Sequence, residues 1–442
     1  MGLVAFAFSL WALPARASYG TRTTGDEPHY LLTALSLAED RDLDVSDEIA
    51  AERYEPFSEI GLNRQSRRLE GGRMVSPHDP LLPLLLAPGM AAAGWAGAKV
   101  TLALIAAATA ALTLWVAVRR FGAPVVPGAV VVGLFAASAP LSAYGAQVYP
   151  EMPAALATLV GVACATAPAS WARTAGLAAA VTALPWLSVK YAPVAAALAA
   201  AAAWAWWRWG ERRGAVWLAG ALAVSGAAFV AAHWAWYGGW TPYGVGDHFV
   251  TGEFGVVGFD PNPAARSTRL VGLLVDREFG LAAWQPAWLL AAPAVAALAT
   301  RRPRGWAFLL VPAGAGWLNA TFVALTMHGW WWPGRQVVVV APLLVIAVAA
   351  WAGESRPRLA WAAGLGLAGI LAWGWLASEA LAHRLTLVVD FYETSNPLYR
   401  AWSAALPDYR HPTAATWVLH ALWAAAIAAA LWWGRSAAKP SP

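Results

Sequence analysis

The stretch Gly25-Asp26-Glu27-Pro28-His29-Tyr30 decides how the rest of the sequence is interpreted. Two adjacent carboxylates follow the first apolar segment, where a membrane span meets water, and the proline after them suits the first turn of a helix. The residues that follow are spaced as one apolar face of a helix: Leu31, Ala34, Leu35 and Ala38. The pattern predicts a helix in the membrane interface, with both carboxylates at its positively polarised N-terminus.

Asp26 has two interpretations from these local residues. An aspartate at this position caps a helix, because its side chain accepts a hydrogen bond from a backbone N–H of the first turn. An aspartate at the water-facing end of a span is also suited to catalysis or to metal binding. The local sequence leaves both interpretations open.

The composition predicts an integral membrane protein. Of its 442 residues, 59% are hydrophobic and 12% are charged, whereas a soluble globular domain has roughly 25% charged residues. Long apolar runs recur, each near the length that crosses about 30 Å of hydrocarbon as a helix. The single cysteine, Cys164, excludes an intrachain disulfide, and the small net charge of +5 gives no reason to expect a nucleic-acid partner.

The apolar runs predict an all-α polytopic protein with about twelve spans. Residues 81–97, broken by Pro83, Pro88 and Gly89, are predicted to be an interfacial or re-entrant piece within a first extracytoplasmic loop at 19–97. Further outer loops are predicted at 237–280 and 378–413. The predicted spans are 1–18, 98–118, 125–143, 152–169, 174–191, 193–207, 215–236, 281–299, 305–327, 336–352, 359–377 and 414–433. Ala15-Arg16-Ala17-Ser18 also imitates a signal-peptidase site, which leaves a cleaved signal as the alternative for the first segment.

The basic residues predict the orientation. They flank short loops on alternate sides of successive spans, as one cytosolic face requires. These residues are Arg119, Arg120, Arg173, Arg208, Arg212, Arg213, Arg301, Arg302, Arg304, Arg356, Arg358, Arg435 and Lys439. Nearly all acidic residues fall on the other side. The pattern therefore predicts a multi-pass protein of the plasma (inner) membrane, with both termini inside and its function directed outward.

Several short polar motifs lie at the predicted outer ends of spans, where an ionisable group needs a partner or a water-filled cavity. They are Tyr149-Pro150-Glu151, Lys190-Tyr191, Asp276-Arg277-Glu278, and His328 with Arg335 around the tryptophans at 330–332. Each has a simpler interpretation: the cations extend to lipid headgroups, the acidic motif is an ion-paired turn, and the tryptophans form an interfacial belt. Their convergence with Asp26 on one face favours a functional site.

His78, in Ser76-Pro77-His78-Asp79-Pro80, is a candidate metal ligand together with Asp79. The sequence has no closely spaced set of histidines and cysteines, which argues against a structural zinc site. It also has no glycine-rich loop that would cradle phosphates, so a soluble nucleotide donor has no visible pocket.

These residues together resemble the GT-C membrane glycosyltransferases, in particular the protein O-mannosyltransferase and lipid A aminoarabinose transferase branch. The acidic pair after the first helix, the long first outer loop and Pro77-His78-Asp79-Pro80-Leu81 carry the resemblance. It implies a GT-C-like fold, a polyprenyl-phosphate sugar as donor, and chemistry on the extracytoplasmic side. It also implies that Asp26 is the catalytic base and that Glu151 shapes the site. His78 departs from the family, because several relatives have a basic residue there.

The expected chemistry assigns roles to the candidates. A carboxylate takes the proton of the acceptor hydroxyl, and cations hold the charge of the leaving phosphate. The candidate catalytic residues are Asp26, Glu27 and Glu151. The candidate donor-binding residues are Lys190, Tyr191, Arg277, Arg335 and His78, and the candidate acceptor or cavity residues are His29, Tyr30, Tyr149, Asp276 and His328. A divalent cation held by Asp26 and Glu151 is a further expectation.

The sequence therefore predicts a glycosyltransferase that moves a sugar from a polyprenyl-phosphate donor to a glycan, lipid or protein acceptor. Two other classes of function stay open. A transporter or flippase of lipid-linked sugars would show repeat symmetry and a site near the membrane midplane, whereas here the polar motifs gather at the ends of spans. A non-catalytic envelope-assembly protein would use the acidic loop only as a docking surface.

Overall fold

The computed structural model describes residues 1–246 and 262–438, which form helices and irregular segments joined by isolated β-bridges. The predicted loop at 237–280 lies partly outside these residues, and Lys439 lies wholly outside them. The described α-helices are α1 (Gly2–Trp11), α2 (Glu27–Glu39), α3 (Ser46–Ala50), α4 (Leu81–Phe121), α5 (Val125–Ala136), α6 (Leu141–Tyr144), α7 (Glu151–Ala165), α8 (Trp171–Leu187), α9 (Ala192–Arg208), α10 (Arg212–Tyr237), α11 (Pro263–Ser267), α12 (Arg269–Val275), α13 (Leu281–Trp284), α14 (Ala291–Arg301), α15 (Trp306–Leu318), α16 (Ala341–Ala352), α17 (Arg356–Leu381), α18 (Pro397–Ser403) and α19 (Ala414–Ser436).

Six helical segments in the described part of the chain are long and apolar enough to cross a membrane. They are Leu81–Phe121, Val189–Arg208, Arg212–Val245, Trp306–Val323, Arg356–Leu381 and Ala414–Ser436. Shorter apolar helices accompany them, among them α1, α5, α7 and α16. The all-α membrane architecture follows from these helices, while the count of twelve spans stays a prediction.

The predicted spans at 125–143 and 281–299 are each divided between two helices. The first consists of α5 and α6, with a break at residues 137–140. The run at 281–299 consists of α13, a 3₁₀ turn at Pro286–Leu290 and α14. Pro286 has no N–H to continue a helical ladder. The side chain of Gln285 instead accepts a hydrogen bond from the Ala287 N–H and donates one to Ser138 Oγ at 2.6 Å. The uninterrupted span predicted here is therefore corrected to two helices joined by a buried polar turn.

Helix α4 bends sharply at Ala93 and Gly94, whose backbone angles are not helical. Residues eight apart in a continuous helix are separated by about 12 Å. Here the backbones of Gly89 and Gly97 touch, so that neither position has room for a side chain. The segment predicted to be interfacial or re-entrant is thus the first arm of a bent helix that folds back on the second. Its position in the membrane stays a prediction.

Helix α2 is buried on all sides over most of its length. Leu31, Leu32 and Ala34 have no exposed surface, and it packs along α4. Thr33 and Ser36, which the spacing places off the apolar face, are buried too. Leu31, Ala34 and Leu35 of the predicted stripe are buried, but burial also extends to the polar side, where the Ser36 hydroxyl donates to the loop at Asp42 and Asp44.

The short basic loops lie together at one end of the bundle. Arg173, in the first turn of α8, pairs with Glu211, just before α10. Arg301, at the end of α14, donates a hydrogen bond of 2.9 Å to Glu354 in the loop after α16. Arg304 stacks over the ring of Trp209 at 4.4 Å. Helices α7, α9 and α16 run from the opposite end toward these loops, so their first residues mark a second, separate end.

Candidate active site

Arg335 lies at the centre of a buried ion-pair network at this second end. Its Nη2 donates to Asp26 Oδ2 at 2.7 Å, and its Nε donates to Glu151 Oε1 at 3.1 Å. Lys190 Nζ donates to the same Glu151 oxygen at 2.6 Å. Two carboxylates and two cations from four distant parts of the chain therefore meet in one network.

The tryptophan run before Arg335 fixes its position. Trp332 is buried and packs edge-on against Trp284 and Trp373 at centroid distances of 5.3 Å. Its backbone carbonyl accepts a hydrogen bond from the Tyr144 hydroxyl. The interpretation of the whole run as an interfacial belt is therefore wrong for Trp332, which anchors the segment in the core and holds the Arg335 backbone.

The guanidinium of Arg335 is also held by two aromatic rings. It lies 4.1 Å from the ring centroid of Tyr149 and 4.8 Å from that of Trp331. Cation–π contacts of this kind are attractive in partly desolvated sites. Arg335 is consequently fixed by carboxylates along its edge and by rings on its faces, rather than extended toward lipid headgroups.

Asp26 takes the N-cap position of α2, yet its side chain makes no capping hydrogen bond. Its second partner is the side-chain amide of Gln65, at 3.2 Å from Oδ1. Burial by itself would raise the pKa of Asp26. The charges of Arg335 and His78, together with the hydrogen bonds from Arg335 and Gln65, lower this pKa by a larger amount, so it lies below its usual value. The capping interpretation is therefore wrong, and Asp26 is an ionised carboxylate within the network.

Gly25 permits the turn that presents Asp26. Its φ of +57° is in the left-handed region, where residues with a side chain are strained. A Cβ at this position would lie 2.7 Å from the Tyr149 hydroxyl and 3.4 Å from the Trp330 carbonyl oxygen. The first residue of the opening motif is thus a glycine because the chain passes directly over Tyr149.

Glu27 is fully buried and bonded to backbone. It accepts hydrogen bonds from the Val148 N–H at 2.8 Å and the Thr24 N–H at 3.2 Å. Burial raises the pKa of Glu27 above its usual value, even though Lys99 and both N–H groups lower it. Its contacts tie the first loop to the segment just before Glu151. This arrangement suits a positioning role better than the catalytic role predicted for Glu27.

Glu151 begins α7, as predicted, and its side chain is completely buried. Its Oε2 makes no hydrogen bond to any residue that the structure describes. Lys190 lies in the 3₁₀ turn Val189–Tyr191, and its carbonyl oxygen accepts a hydrogen bond from the Asn319 amide at 3.1 Å. The side chains of Asp26 and Lys190 are 24% and 23% exposed, so solvent reaches the network at these two residues.

The predicted aromatic and histidine residues surround the network. The rings of Tyr30 and His78 stack with centroids 4.6 Å apart, and Tyr149 meets Tyr30 edge-on. His78 Nε2 lies 2.9 Å from Gln65 Oε1, which links it to Asp26 through one amide. His29 lies against the same loop, with Nε2 2.8 Å from the Asn63 carbonyl oxygen. Tyr191, also buried, follows Lys190 directly.

Asp79 does not share a site with His78. Its oxygens lie 3.1 Å from His233 Nε2 and 3.0 Å from the Val189 N–H that donates to it. The two neighbouring side chains therefore face different partners, and the metal pair predicted for them is corrected. Asp79 instead holds the turn that carries Lys190.

Three predicted site residues lie in a different network. Arg277 donates to the Ser403 carbonyl oxygen at 3.1 Å and to Asp408 at 3.3 Å. Asp276 accepts hydrogen bonds from the Glu278 and Phe279 N–H groups, and His328 Nε2 lies 3.4 Å from it. These contacts join the segment before α13 to the loop before α19. They do not join it to Asp26 or Glu151.

Sequence reasoning missed three contributors to the site. Gln65 lies in a polar loop without a recognisable motif, and His233 is an isolated histidine inside an apolar helix. Asn319 begins a short π-helical turn, Asn319–Val323, at the end of α15. An ionisable residue within an apolar helix is an expected signal of function, so only His233 offered a sign in the sequence.

The donor set does not fit the divalent cation predicted for Asp26 and Glu151. Each carboxylate already contacts Arg335, whose guanidinium lies between them. A metal ion would have to replace that guanidinium or approach it closely, at a cost in like-charge repulsion. Arg335 supplies the positive charge that the metal was expected to provide.

An apolar cavity lies between α4, α8, α10 and the loop that follows α2. It has a volume of about 850 Å³, and its walls include Leu84 from α4, Trp186 from α8 and Trp236 from α10. Arg41 and Arg73 lie at its polar edge. Pro80, which follows the Asp79 that holds the Lys190 turn, also lines it. We call this cavity the apolar groove.

These features define a multi-pass helical membrane protein with a charged site at one end of its bundle. The same fold is found in the crystal structure of ArnT from Cupriavidus metallidurans bound to undecaprenyl phosphate, with a TM-score of 0.52. The match covers 99% of this chain and 75% of ArnT at 15% sequence identity. The chain therefore has the GT-C fold, as the sequence predicted. No family model and no curated protein matches the sequence.

Proposed function

We propose that this protein transfers a sugar from a polyprenyl-phosphate donor to an acceptor hydroxyl, with Asp26 as the general base. The observation that carries the proposal is the buried network of Arg335, Lys190, Asp26 and Glu151 at one end of a GT-C fold. Such a network offers both a carboxylate for the acceptor proton and cations for the phosphate.

Lys190 and Arg335 are proposed to bind the donor phosphate. Both cations pair with side-chain carboxylates, and Lys190 is partly exposed. The donor's phosphodiester has two non-bridging oxygens that share one negative charge, so it can replace a carboxylate contact without leaving a cation unpaired. Glu151, with one unbonded oxygen, keeps both cations in place beneath the phosphate.

The apolar groove is proposed to hold the lipid part of the donor. Its volume of about 850 Å³ is within the usual range for ligand pockets, roughly 300–1,000 Å³. Its walls are apolar side chains of α8 and α10, while its polar edge carries Arg41 and Arg73. The apolar walls match a long apolar chain, and Pro80, which lines the groove, follows the Asp79 that holds the turn of Lys190. The bound undecaprenyl phosphate of ArnT is a ligand of the same chemical kind.

The reaction follows from these positions. The acceptor oxygen attacks the anomeric carbon, the bond from that carbon to the phosphate oxygen breaks, and the polyprenyl phosphate leaves with the bonding electrons. Asp26 takes the proton that the acceptor oxygen loses. Arg335 and Lys190 stabilise the charge that develops on the leaving phosphate. No strong general acid is needed, because a phosphate monoester is a weak base.

Donor binding is also proposed to activate Asp26. In the free protein, the charge of Arg335 lowers the pKa of Asp26, which makes it a weak base. When the donor phosphate shares the guanidinium, this attraction weakens while the burial of Asp26 remains. The pKa of Asp26 then rises, so the base gains strength only when a donor is present.

The charge distribution supports an extracytoplasmic site in a cytoplasmic (inner) membrane. The loops of Arg173, Arg301 and Arg304 share one end of the bundle, and the proposed site lies at the other. Short basic loops are retained on the cytosolic side. The acceptor, whether glycan, lipid or protein, would therefore be met outside the cytosol.

The direct test supplies purified protein with radiolabelled polyprenyl-phosphate sugars and candidate acceptors, and follows the label. Transfer that needs Asp26 supports the proposal. Label that crosses a proteoliposome membrane while still attached to its lipid would instead identify a flippase. The proposed transferase activity would be contradicted if the donor stayed intact on its original side and no glycan, lipid or protein acceptor became labelled.

A further inference from the structure

Three carboxylates converge on the surface of the first loop, away from the proposed active site. Asp40 takes the C-cap position of α2, while Asp47 and Glu48 belong to α3. One oxygen from each of the three side chains lies within 4.8 Å of the other two. This separation is at most about twice the Ca²⁺–oxygen distance of 2.3–2.6 Å, so one calcium ion could contact all three.

Glu48 gives an independent indication of a missing ligand. Its exposed fraction is 3%, and neither carboxylate oxygen makes a hydrogen bond to any described residue. A buried carboxylate with no partner is costly. The nearby cation, Arg53, is engaged instead by Glu39 at 2.8 Å.

Two neighbouring aspartates are used differently and shape the loop. Asp42 Oδ1 accepts hydrogen bonds from the Ser36 hydroxyl at 3.0 Å and the Asp44 N–H at 2.9 Å. Asp44 Oδ1 accepts hydrogen bonds from the Ser46 N–H at 3.1 Å and the Met74 N–H at 2.9 Å. Their oxygens satisfy the loop backbone. The oxygens of Glu48 are not used in this way.

We propose that Asp40, Asp47 and Glu48 bind a divalent cation, with calcium as the favoured ion. All three ligands are hard carboxylate oxygens, which suit calcium and magnesium rather than softer metals. Calcium is favoured because it tolerates irregular geometry and six to eight ligands. Asp40 and Asp47 are exposed, so water can complete the coordination.

The proposed ion would connect the end of α2 to α3. Helix α2 has 13 residues, so the ion would lie about 20 Å from the Asp26 end, at about 1.5 Å per residue. It would therefore stabilise the loop rather than take part in transfer. This inference is independent of the proposed function, because ion binding is measured without a sugar donor.

The test uses the full-length protein, stripped of metal with a chelator and exchanged into detergent. Terbium luminescence with calcium competition measures binding, and thermal unfolding measures its effect on stability. We expect one calcium site with a Kd of about 10⁻⁴ to 10⁻³ M, as in extracellular calcium modules. Calcium should also raise the unfolding temperature.

The variants Glu48→Gln and Asp40→Asn should weaken binding by roughly tenfold or more, since each removes one charged ligand. Glu55→Gln is the matched control, because Glu55 is an exposed acid of the same loop outside the cluster. Equal losses in all three variants would show diffuse surface binding and overturn the site. No binding by the unmodified protein would also overturn it, and would mean that Glu48 instead shares a proton with Asp47.

Discussion

Two charged networks of this protein differ in what their carboxylates bind. In the network of Arg335, the described residues that donate hydrogen bonds to the carboxylates of Asp26 and Glu151 do so through their side chains: Gln65, Arg335 and Lys190. In the network of Arg277, Asp276 accepts hydrogen bonds from three backbone N–H groups, those of Glu278, Phe279 and Tyr409. The sequence alone gives both networks the same appearance.

The difference separates a network that can rearrange from one that cannot. Side-chain cations can exchange a carboxylate for an incoming phosphate while the backbone stays in place. A carboxylate that satisfies three backbone N–H groups is required by the loop itself, because its loss leaves buried donors without a partner. We therefore assign the donor site to the first network and a structural role to the second.

The largest expected effect comes from Asp26→Asn. The amide keeps the size of the side chain but takes no proton, so transfer should fall by about 10²- to 10⁴-fold. The measurement is label transfer by purified protein, with thermal unfolding as a check of folding. The matched control is Asp408→Asn, the same change in the second network. Near-normal transfer by folded Asp26→Asn would exclude Asp26 as the base.

Lys190→Gln should weaken donor binding by about tenfold to a hundredfold, since a charge-assisted hydrogen bond contributes roughly 1.5 to 3 kcal/mol. The effect should appear as a higher KM for the donor. Arg277→Gln removes the same charge from the second network and should leave that KM unchanged, because Arg277 contacts Asp408 and Ser403. A larger KM effect at Arg277 than at Lys190 would reverse the assignment of the two networks.

Ala183→Trp tests whether the apolar groove holds the lipid. Ala183 lines the groove, and a tryptophan there should displace about two methylene groups of the chain. At about 0.8 kcal/mol per methylene group, the KM for a long-chain donor should rise roughly tenfold. A water-soluble donor with a short chain serves as the control and should be unaffected. Equal effects on both donors would place the lipid elsewhere.

The pH dependence tests the activation of Asp26 by the donor. Because Arg335 holds the pKa of Asp26 below its usual value in the free protein, the carboxylate stays ionised until the pH falls through that lowered pKa. The acid limb of kcat/KM reports the free enzyme, and the limb of kcat reports the complex. The kcat limb should therefore lie at the higher pH. Coincident limbs would show that donor binding does not alter Asp26.

Asp276→Asn should reduce stability and not chemistry. One oxygen becomes an NH₂ group facing the Tyr409 N–H, so the free energy of unfolding should fall by about 1 to 3 kcal/mol. The unfolding temperature in detergent measures this effect, and donor KM should stay constant. Asp26→Asn should instead reduce sugar transfer and leave the unfolding temperature nearly unchanged. A transfer defect in Asp276→Asn without a loss of stability would bring the second network into the active site.

The sequence predicted the class of the fold and most of the site. Apolar runs near bilayer length identify membrane helices without tertiary information, because backbone groups in hydrocarbon must bond internally. The same constraint makes ionisable residues at span ends informative. Asp26, Glu151, Lys190 and Arg335 were found in this way, and the structure brings all four together.

Only the tertiary structure decided which predicted residues meet. Arg277 and Lys190 look alike in the sequence, because each is a cation near the end of a predicted span. The partner of Arg277 is Asp408, 131 residues away, whereas the partner of Lys190 is Glu151, 39 residues away. Local spacing carries no information about such contacts. The bend of α4 and the burial of α2 likewise depend on neighbours far along the chain. Composition and periodicity thus determined that this is a helical membrane protein with charged residues near the ends of apolar segments, whereas long-range packing decided which of those charges form one site.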